Sequence, residues 1–406
     1  MTSLLVFCPD YRSANPYQTL LYEHAGRELY PRPGSIAEAL ALQRQRRLGD
    51  RVIFHLHWED GIYRNEPTEA AAWQAAQAFL ADLEALLDAG GHLVWTLHNE
   101  QPHDGRYLPV HKALCEKLGL LADVVHVHSL AASTFARSRL RIDPGRLALI
   151  HHGSYTTLYP RLATPAARSR AALGLAKARR VLLLFGRLGR YKGGLELLSA
   201  FNRIDDQGLW LIVAGKQVDP LHDALDRLSP SARRRVVVLD RFLGHDELPP
   251  LFHASDMVVM PYQASLTSGT AMLALSQGRP VLAPAFKSMI ELLDDGVDAL
   301  LYEPGSPSAL QKAILRLVGL KDAQLAQMQG AARAKSELYD WRQSGLLLSG
   351  VYARLLGTLR PQRSLVGVLA GQGPAPAPAG DATPAPAGEP RTATAGAAAR
   401  SRLVEA

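Results

Sequence analysis

Along this chain apolar residues fall into short unbroken runs and do not alternate with polar ones. In the first half the runs occupy 4–7, 51–57, 92–97, 124–128 and 147–151; in the second they occupy 180–185, 209–214, 236–239, 257–260 and 280–283. Between them lie stretches with apolar residues at helical spacing, clearest over 69–89, where Ala, Leu, Phe and Trp recur. A strand that is apolar on both faces has to be covered on both faces. Such runs separated by helices therefore predict parallel sheets sandwiched between helices. The rhythm runs through the chain twice, which predicts an α/β protein of two doubly wound halves.

The join between these two Rossmann-like halves falls within 156–178, which holds Pro160, Pro165, several Ala and Arg, and no strand-like run. The expected division is a first half at 1–160 and a second at 175–336, facing each other across a cleft. A last helix within 337–360 carries Tyr339, Trp341, Leu346, Leu347, Leu348 and Tyr352, and is expected to return toward the first half. From Pro361 the composition collapses to Ala, Pro, Gly and Thr. The segment 361–406 cannot bury enough apolar surface to fold, so it is expected to be disordered.

With 47% hydrophobic residues among 406, the chain can fill two ordinary cores. No run approaches the ~20 apolar residues of a membrane-spanning helix. The first ten residues lack the basic start and long apolar core of a secretory signal, so a cytoplasmic location is expected. Two cysteines, Cys8 and Cys115, without CxxC spacing, fit a reducing compartment. The net charge is +7; the tail has four arginines against three acids, which leaves +6 on the body. Arginines cluster at Arg44, Arg46, Arg47 and Arg51, at Arg137, Arg139 and Arg141, and at Arg233, Arg234 and Arg235. Such clusters suit anionic lipid headgroups or diphosphates, or form a solvated helix face. No nucleic-acid-binding module is present in the pattern, and nucleic acid is not an expected partner.

Two segments carry candidate chemistry. The first is Gly186-Arg187-Leu188-Gly189-Arg190-Tyr191-Lys192-Gly193-Gly194, between a predicted strand and a predicted helix. Glycines there let the backbone approach a phosphate, and a helix start offers free N–H groups and the positive end of a dipole. Arg187 and Lys192 add charge-assisted contacts to a diphosphate, which needs neutralising as its bond to a sugar breaks. The spacing is neither GxxxxGK[ST] nor GxGxxG. The second segment is Ser265-Leu266-Thr267-Ser268-Gly269-Thr270, where Ser268 is a plausible helix cap and the Gly269 and Thr270 amides face an anion. Taken alone, each reads equally as an ordinary strand-to-helix turn.

Phe185-Gly186-Arg187-Leu188, Tyr191-Lys192-Gly193, Gly278-Arg279-Pro280-Val281 and Glu291 with Asp295-Gly296 together resemble the donor half of family-4-type glycosyltransferases of the GT-B fold. Asn15-Pro16-Tyr17, His55-Leu56-His57-Trp58 and Thr96-Leu97-His98-Asn99 with His103 are most similar to the xanthan-type GDP-mannose:glycolipid β-mannosyltransferases. The resemblance covers roughly 1–355. It implies a hexosyltransferase that moves mannose from GDP-mannose onto a lipid-linked oligosaccharide in exopolysaccharide synthesis. Such an enzyme works as a peripheral protein on the inner face of the bacterial inner membrane, on an anionic surface. It implies no cofactor beyond the nucleotide-sugar and no metal, since enzymes of this fold usually neutralise the diphosphate with protein groups. The donor residues it implies are Gly186, Arg187, Lys192, Gly193, Ser268, Gly269, Thr270 and Glu291.

One departure bears on the reaction. Family-4 members carry two glutamates eight positions apart ahead of the GxP segment, and here those positions are Ser265 and Leu273. Their loss is compatible with an inverting transferase, which needs a general base on the acceptor side. Asp60 and His98, both just past predicted strands, are the candidates, with Asp60 favoured because the related mannosyltransferases keep an acid there. His57, Asn99, His103 and His152 are candidate acceptor or cleft residues. The pairs His55/His57 and His126/His128 have H-x-H spacing that puts both rings on one side of a strand, yet no carboxylate set completes a metal site. Two other functions stay open: a non-catalytic sugar-nucleotide-binding partner of an assembly complex, and a sugar-nucleotide epimerase.

Overall fold

The computed structural model describes residues 3–25, 29–45, 51–102, 104–160, 162–218 and 221–357. The basic positions Arg46 and Arg47 and the whole of 361–406 lie outside these. In the first half β1 (Ser3–Cys8), β2 (Leu29–Pro33), β3 (Val52–Leu56), β4 (His92–Thr96), β5 (Val124–Val127) and β6 (Leu147–Leu149) alternate with α1 (Tyr17–Glu23), α2 (Ile36–Arg44), α3 (Glu69–Asp88), α4 (Leu108–Leu121) and α5 (Leu130–Arg139). The second half follows with α6 (Ala166–Ala172), β7 (Arg180–Phe185), α7 (Gly194–Asn202), β8 (Leu209–Ala214), α8 (His222–Asp226), α9 (Pro230–Arg233), β9 (Val236–Leu239) and α10 (Leu248–Ala254). It continues with β10 (Met257–Val259), α11 (Gly269–Ser276), β11 (Val281–Pro284), α12 (Lys287–Leu292), β12 (Ala299–Tyr302), α13 (Pro307–Gly319), α14 (Asp322–Glu337) and α15 (Trp341–Leu355).

All pairings are parallel, in two six-stranded sheets ordered β2-β1-β3-β4-β5-β6 and β12-β11-β10-β7-β8-β9. Each sheet has one more strand than the apolar runs predicted. The missed strands, β2 and β12, lie at sheet edges. β2 reads Leu-Tyr-Pro-Arg-Pro, and its two prolines are tolerable only where one side of the strand needs no partner. Inner strands such as β3, buried at every position, are the continuous runs the pattern showed. Helix starts are capped locally: Ser35 and Glu38 form a reciprocal box at α2, and Thr68 accepts from the Ala71 amide at α3.

The last helix, α15, begins at Trp341 and packs on α1. Its Gly345 meets the α1 end so closely that a Cβ would lie 2.8 Å from His24 Cβ. Tyr352, fully buried, sends its hydroxyl to His55 Nδ1 at 2.7 Å. One arginine of the 233–235 cluster is not on the surface, while Arg233 and Arg234 are exposed. Arg235 is buried and donates to the carbonyls of Ile204, Asp206 and Leu209, where it ties the β8 edge to the loop before it.

Candidate active site in the cleft

Where strand order reverses, the loops on either side of the reversal run to opposite faces of the sheet and leave a crevice at the strands' carboxyl ends. The reversal falls between β1 and β3 in the first sheet and between β7 and β10 in the second. The loops after these four strands face a cleft of about 900 Å³ lined from both halves. Its ionisable lining is uneven. Five cations (Arg64, Arg187, Arg190, Lys192, Lys216) stand against two acids, Glu100 and Asp104, so the cleft favours an anionic ligand.

The second-half wall is built from crossing loops. Gly193, at φ 67°, passes so close to the next loop that a Cβ would lie 1.9 Å from the Pro261 carbonyl oxygen. Gly215, at φ 129°, is held equally close to the Gly186 carbonyl oxygen. This packing brings Lys192 under the turn that starts α11. Its Nζ donates to Tyr262 Oη and lies 3.5 Å from Thr270 Oγ1. Burial works against the Lys192 charge, but the Tyr191 and Tyr262 hydroxyls outweigh it, and the ammonium titrates above the ordinary lysine range. Ser268 caps α11 by accepting from the Ala271 amide, and Ser268, Gly269 and Thr270 all line the cleft, as do Gly186 and Arg187. Gly193 itself is not in the lining; it lets the loops cross. Ser265 and Leu273, which stand where the family has glutamates, line the cleft too. Among the described residues, no carboxylate of the second half does.

Rings form the opposite wall. Trp58, held at φ 36° in the turn after β3, stacks on His98 with centroids 4.2 Å apart and planes 9° from parallel. A non-glycine residue at such a φ costs of order 1–3 kcal/mol and persists only where its surroundings hold it. Behind His98 lies a connected set of buried imidazoles and hydroxyls. His57 Nδ1 is 3.2 Å from His98 Nε2, and His57 Nε2 is 2.7 Å from Tyr22 Oη. Tyr22 Oη is 2.8 Å from His55 Nδ1, and His55 Nε2 is 2.7 Å from Thr96 Oγ1. Thr96 Oγ1 in turn is 3.0 Å from His126 Nδ1, and His126 Nε2 is 3.0 Å from the Ile150 carbonyl. A carbonyl only accepts, so His126 carries its proton on Nε2 and accepts from Thr96, which must accept from His55. His128 donates from Nδ1 to the same carbonyl and accepts at Nε2 from Tyr17, 2.9 Å away.

Burial holds these rings neutral. It pushes His55, His57 and His128 well below the usual histidine range, and His126 and His152 down to about 4. The two H-x-H pairs thus meet in one cluster, and their nitrogens are engaged by hydroxyls, carbonyls and one another.

The remaining predicted residues fall in several places. His98, Asn99 and His152 line the cleft. His57 is fully buried one layer behind it. Asp60, the favoured base, is not in the lining. It is buried and paired with Arg64, 3.3 Å away, and Arg64 in turn donates to Tyr11 Oη and reaches the cleft. Burial, then the Glu59 carboxylate, pushes Asp60 up to about 6. Glu291 is also outside the lining: its two oxygens accept from the Leu130 and Ala131 amides at 2.6 and 3.1 Å, capping α5 from across the halves. His103 lies outside the described residues. Sequence reasoning passed over Arg64 and Lys216. Lys216, just beyond the end of β8, could have been found by reading every strand end for cations.

A crevice at each sheet's reversal, cations and helix starts on one side and rings on the other, is the frame in which similarity to known proteins acquires meaning. Residues 179–319 match the family model described as glycosyl transferases group 1. A GDP-mannose:glycolipid 4-beta-D-mannosyltransferase of Xanthomonas campestris pv. campestris is 30% identical over 348 residues, 85% of this chain and 90% of that one.

The chain belongs to the group 1 glycosyltransferases.

This glycosyltransferase has the GT-B fold. The HepE protein of Anabaena, solved with UDP, superimposes with a TM-score of 0.63 at 18% identity, covering 88% of this chain and 100% of that one. A glycosyltransferase of Rickettsia africae gives 0.64 at 12% identity, covering 88% and 99%.

Proposed function

We propose that this glycosyltransferase moves mannose from GDP-mannose to a lipid-linked oligosaccharide with inversion at the anomeric carbon. The donor and acceptor are those in the name of the Xanthomonas relative. The observation that carries the mechanism is the asymmetry of the cleft: every acid in its lining belongs to the first half. A second-half carboxylate beside the donor sugar, as a double-displacement route would use, is not in that lining. A single displacement needs only a base across the cleft.

In the proposed step the acceptor hydroxyl oxygen bonds to the anomeric carbon as the carbon–oxygen bond to GDP breaks. The hydroxyl proton goes to His98. The electron pair goes to the diphosphate, which Arg187, Lys192 and the turn at Ser268, Gly269 and Thr270 stabilise. His57 orients His98, and because His57 is neutral it can accept from an imidazolium without like-charge repulsion. Asp60 holds Arg64 at the cleft. Exposed Arg44, Arg51, Arg137, Arg139 and Arg141 on the first half would rest on the anionic inner leaflet, as exopolysaccharide assembly requires. No described helix is long and apolar enough to cross a membrane.

The test offers GDP- and UDP-sugars, with and without a membrane extract that contains lipid-linked sugars. The expected result is consumption of GDP-mannose alone, with label in the lipid fraction only when extract is present. Donor that binds but is never consumed would make the chain a non-catalytic partner. Conversion of free donor to another free sugar nucleotide would make it an epimerase.

A further inference from the structure

We propose that Glu59, His111 and Cys115 form a buried zinc site that clamps the turn after β3 to α4. This departs from the expectation of a metal-free chain and is independent of the reaction proposed above. The three side chains are buried, and one ligand atom from each lies within 4.8 Å of the others; among the described residues no other such group of His, Cys, Asp and Glu occurs. His111 and Cys115 are four apart on α4 and therefore share a face. Cys115 Sγ is 3.6 Å from His111 Nε2 and 3.8 Å from Glu59 Oε1. Zinc bonds of about 2.0–2.3 Å at tetrahedral angles put neighbouring ligand atoms roughly 3.3–3.7 Å apart, so these separations need little adjustment.

The atoms not facing the common point are already held. His111 Nδ1 is 2.8 Å from Tyr63 Oη, and Nε2, the atom that would face the metal, is 3.3 Å from the Glu100 carbonyl, a bond that metal binding would replace. Glu59 Oε2 accepts from Trp95 Nε1 at 3.1 Å, which leaves Oε1. Outer partners of this kind orient metal ligands.

Charge gives a second, separate argument. Glu59 is 2% exposed, and among the described residues its one ion-pair partner is His111, at 3.9 Å. A carboxylate, a thiolate and a neutral imidazole around a divalent ion sum to zero charge, which removes the cost of burying them separately. The mixed O, N and S set suits zinc. Glu59 follows Trp58 directly in the chain, so the site would hold the turn that presses Trp58 onto His98.

Zinc and cobalt, each added alone, test the site. Full-length protein from zinc-supplemented medium is expected to hold about one zinc per chain by elemental analysis. The metal-stripped protein should give a thiolate-to-cobalt charge-transfer band with cobalt chloride. Both signals should vanish in Cys115→Ala and His111→Gln and persist in Cys8→Ala, with folding followed by circular dichroism. Less than a tenth of an equivalent of zinc and no cobalt band in the wild type overturns the site. Undiminished metal in folded Cys115→Ala overturns it too. If the variants fail to fold, the wild-type zinc content and cobalt band decide alone.

Discussion

The β7/β10 crevice and the β1/β3 crevice arise from the same rule of strand order yet carry opposite equipment. The first has cations, glycine crossings and a helix start, all suited to a leaving diphosphate. The second has a tryptophan, a tyrosine and histidines, buried and neutral at their back. What the difference teaches is that the fold supplies two equivalent places and the loops decide which end of a reaction each serves. In the proposed reaction one end withdraws electrons and the other takes a proton.

The largest expected effect breaks the ring wall. His98→Ala should lower kcat/KM by about 10³-fold, within the range of a general base, and flatten the acid limb of the pH–rate profile. An unchanged profile would remove His98 from the step. Lys192→Ala, on the other wall, should cost roughly 10²–10³-fold in turnover with a much smaller change in thermal midpoint. Equal loss of folding and turnover would make Lys192 structural.

Acidification probes the rings together. His55, His57, His126, His128 and His152 are held below their free value of 6.5, so the unfolded chain takes up protons first as pH falls. Their stabilisation is complete above about 6.5 and drains away toward 4. Asp60, raised to about 6, and Glu59, raised by burial, work the other way over the lower part of that window, while His111, lowered by burial, adds to the five. The thermal midpoint should fall by roughly 5–10 °C between pH 7 and 5. A flat midpoint would mean the cluster is already charged. The smallest expected effect is that of Glu291→Gln: turnover within about twofold of wild type, and a stability loss of about 0.5–1 kcal/mol from the α5 end. A drop of more than tenfold in turnover would return Glu291 to the donor site.

The sheet interiors were legible because a strand buried on both faces leaves a run that nothing else imitates. β2 was not, since two prolines and an arginine break its run, and β12, an apolar run of only four residues, was passed over. Lys192 and Ser268 were readable from the glycines and caps beside them. Glu291 was expected at the donor because its neighbours along the chain fit the donor motif, while its carboxylate bonds residues some 160 positions away. The histidine cluster was visible only as two local pairs. That β3, β4 and β5 stand side by side, which joins the pairs through Thr96, is a property of the sheet order. Asp60 was named for its place after a strand, and no local pattern says that Arg64, four residues on, screens it from the cleft.

The Glu291 bridge gives the molecule a built-in gauge. Its carboxylate sits on α12 and its two amide partners on α5, so rigid parting of the halves breaks both bonds at once. Amide protons held this way exchange with solvent deuterium only during the intervals when they are released. The exchange rate at Leu130 and Ala131 therefore counts how often the jaws open. Slower exchange with nucleotide bound would time the closing of the cleft from a site outside its lining.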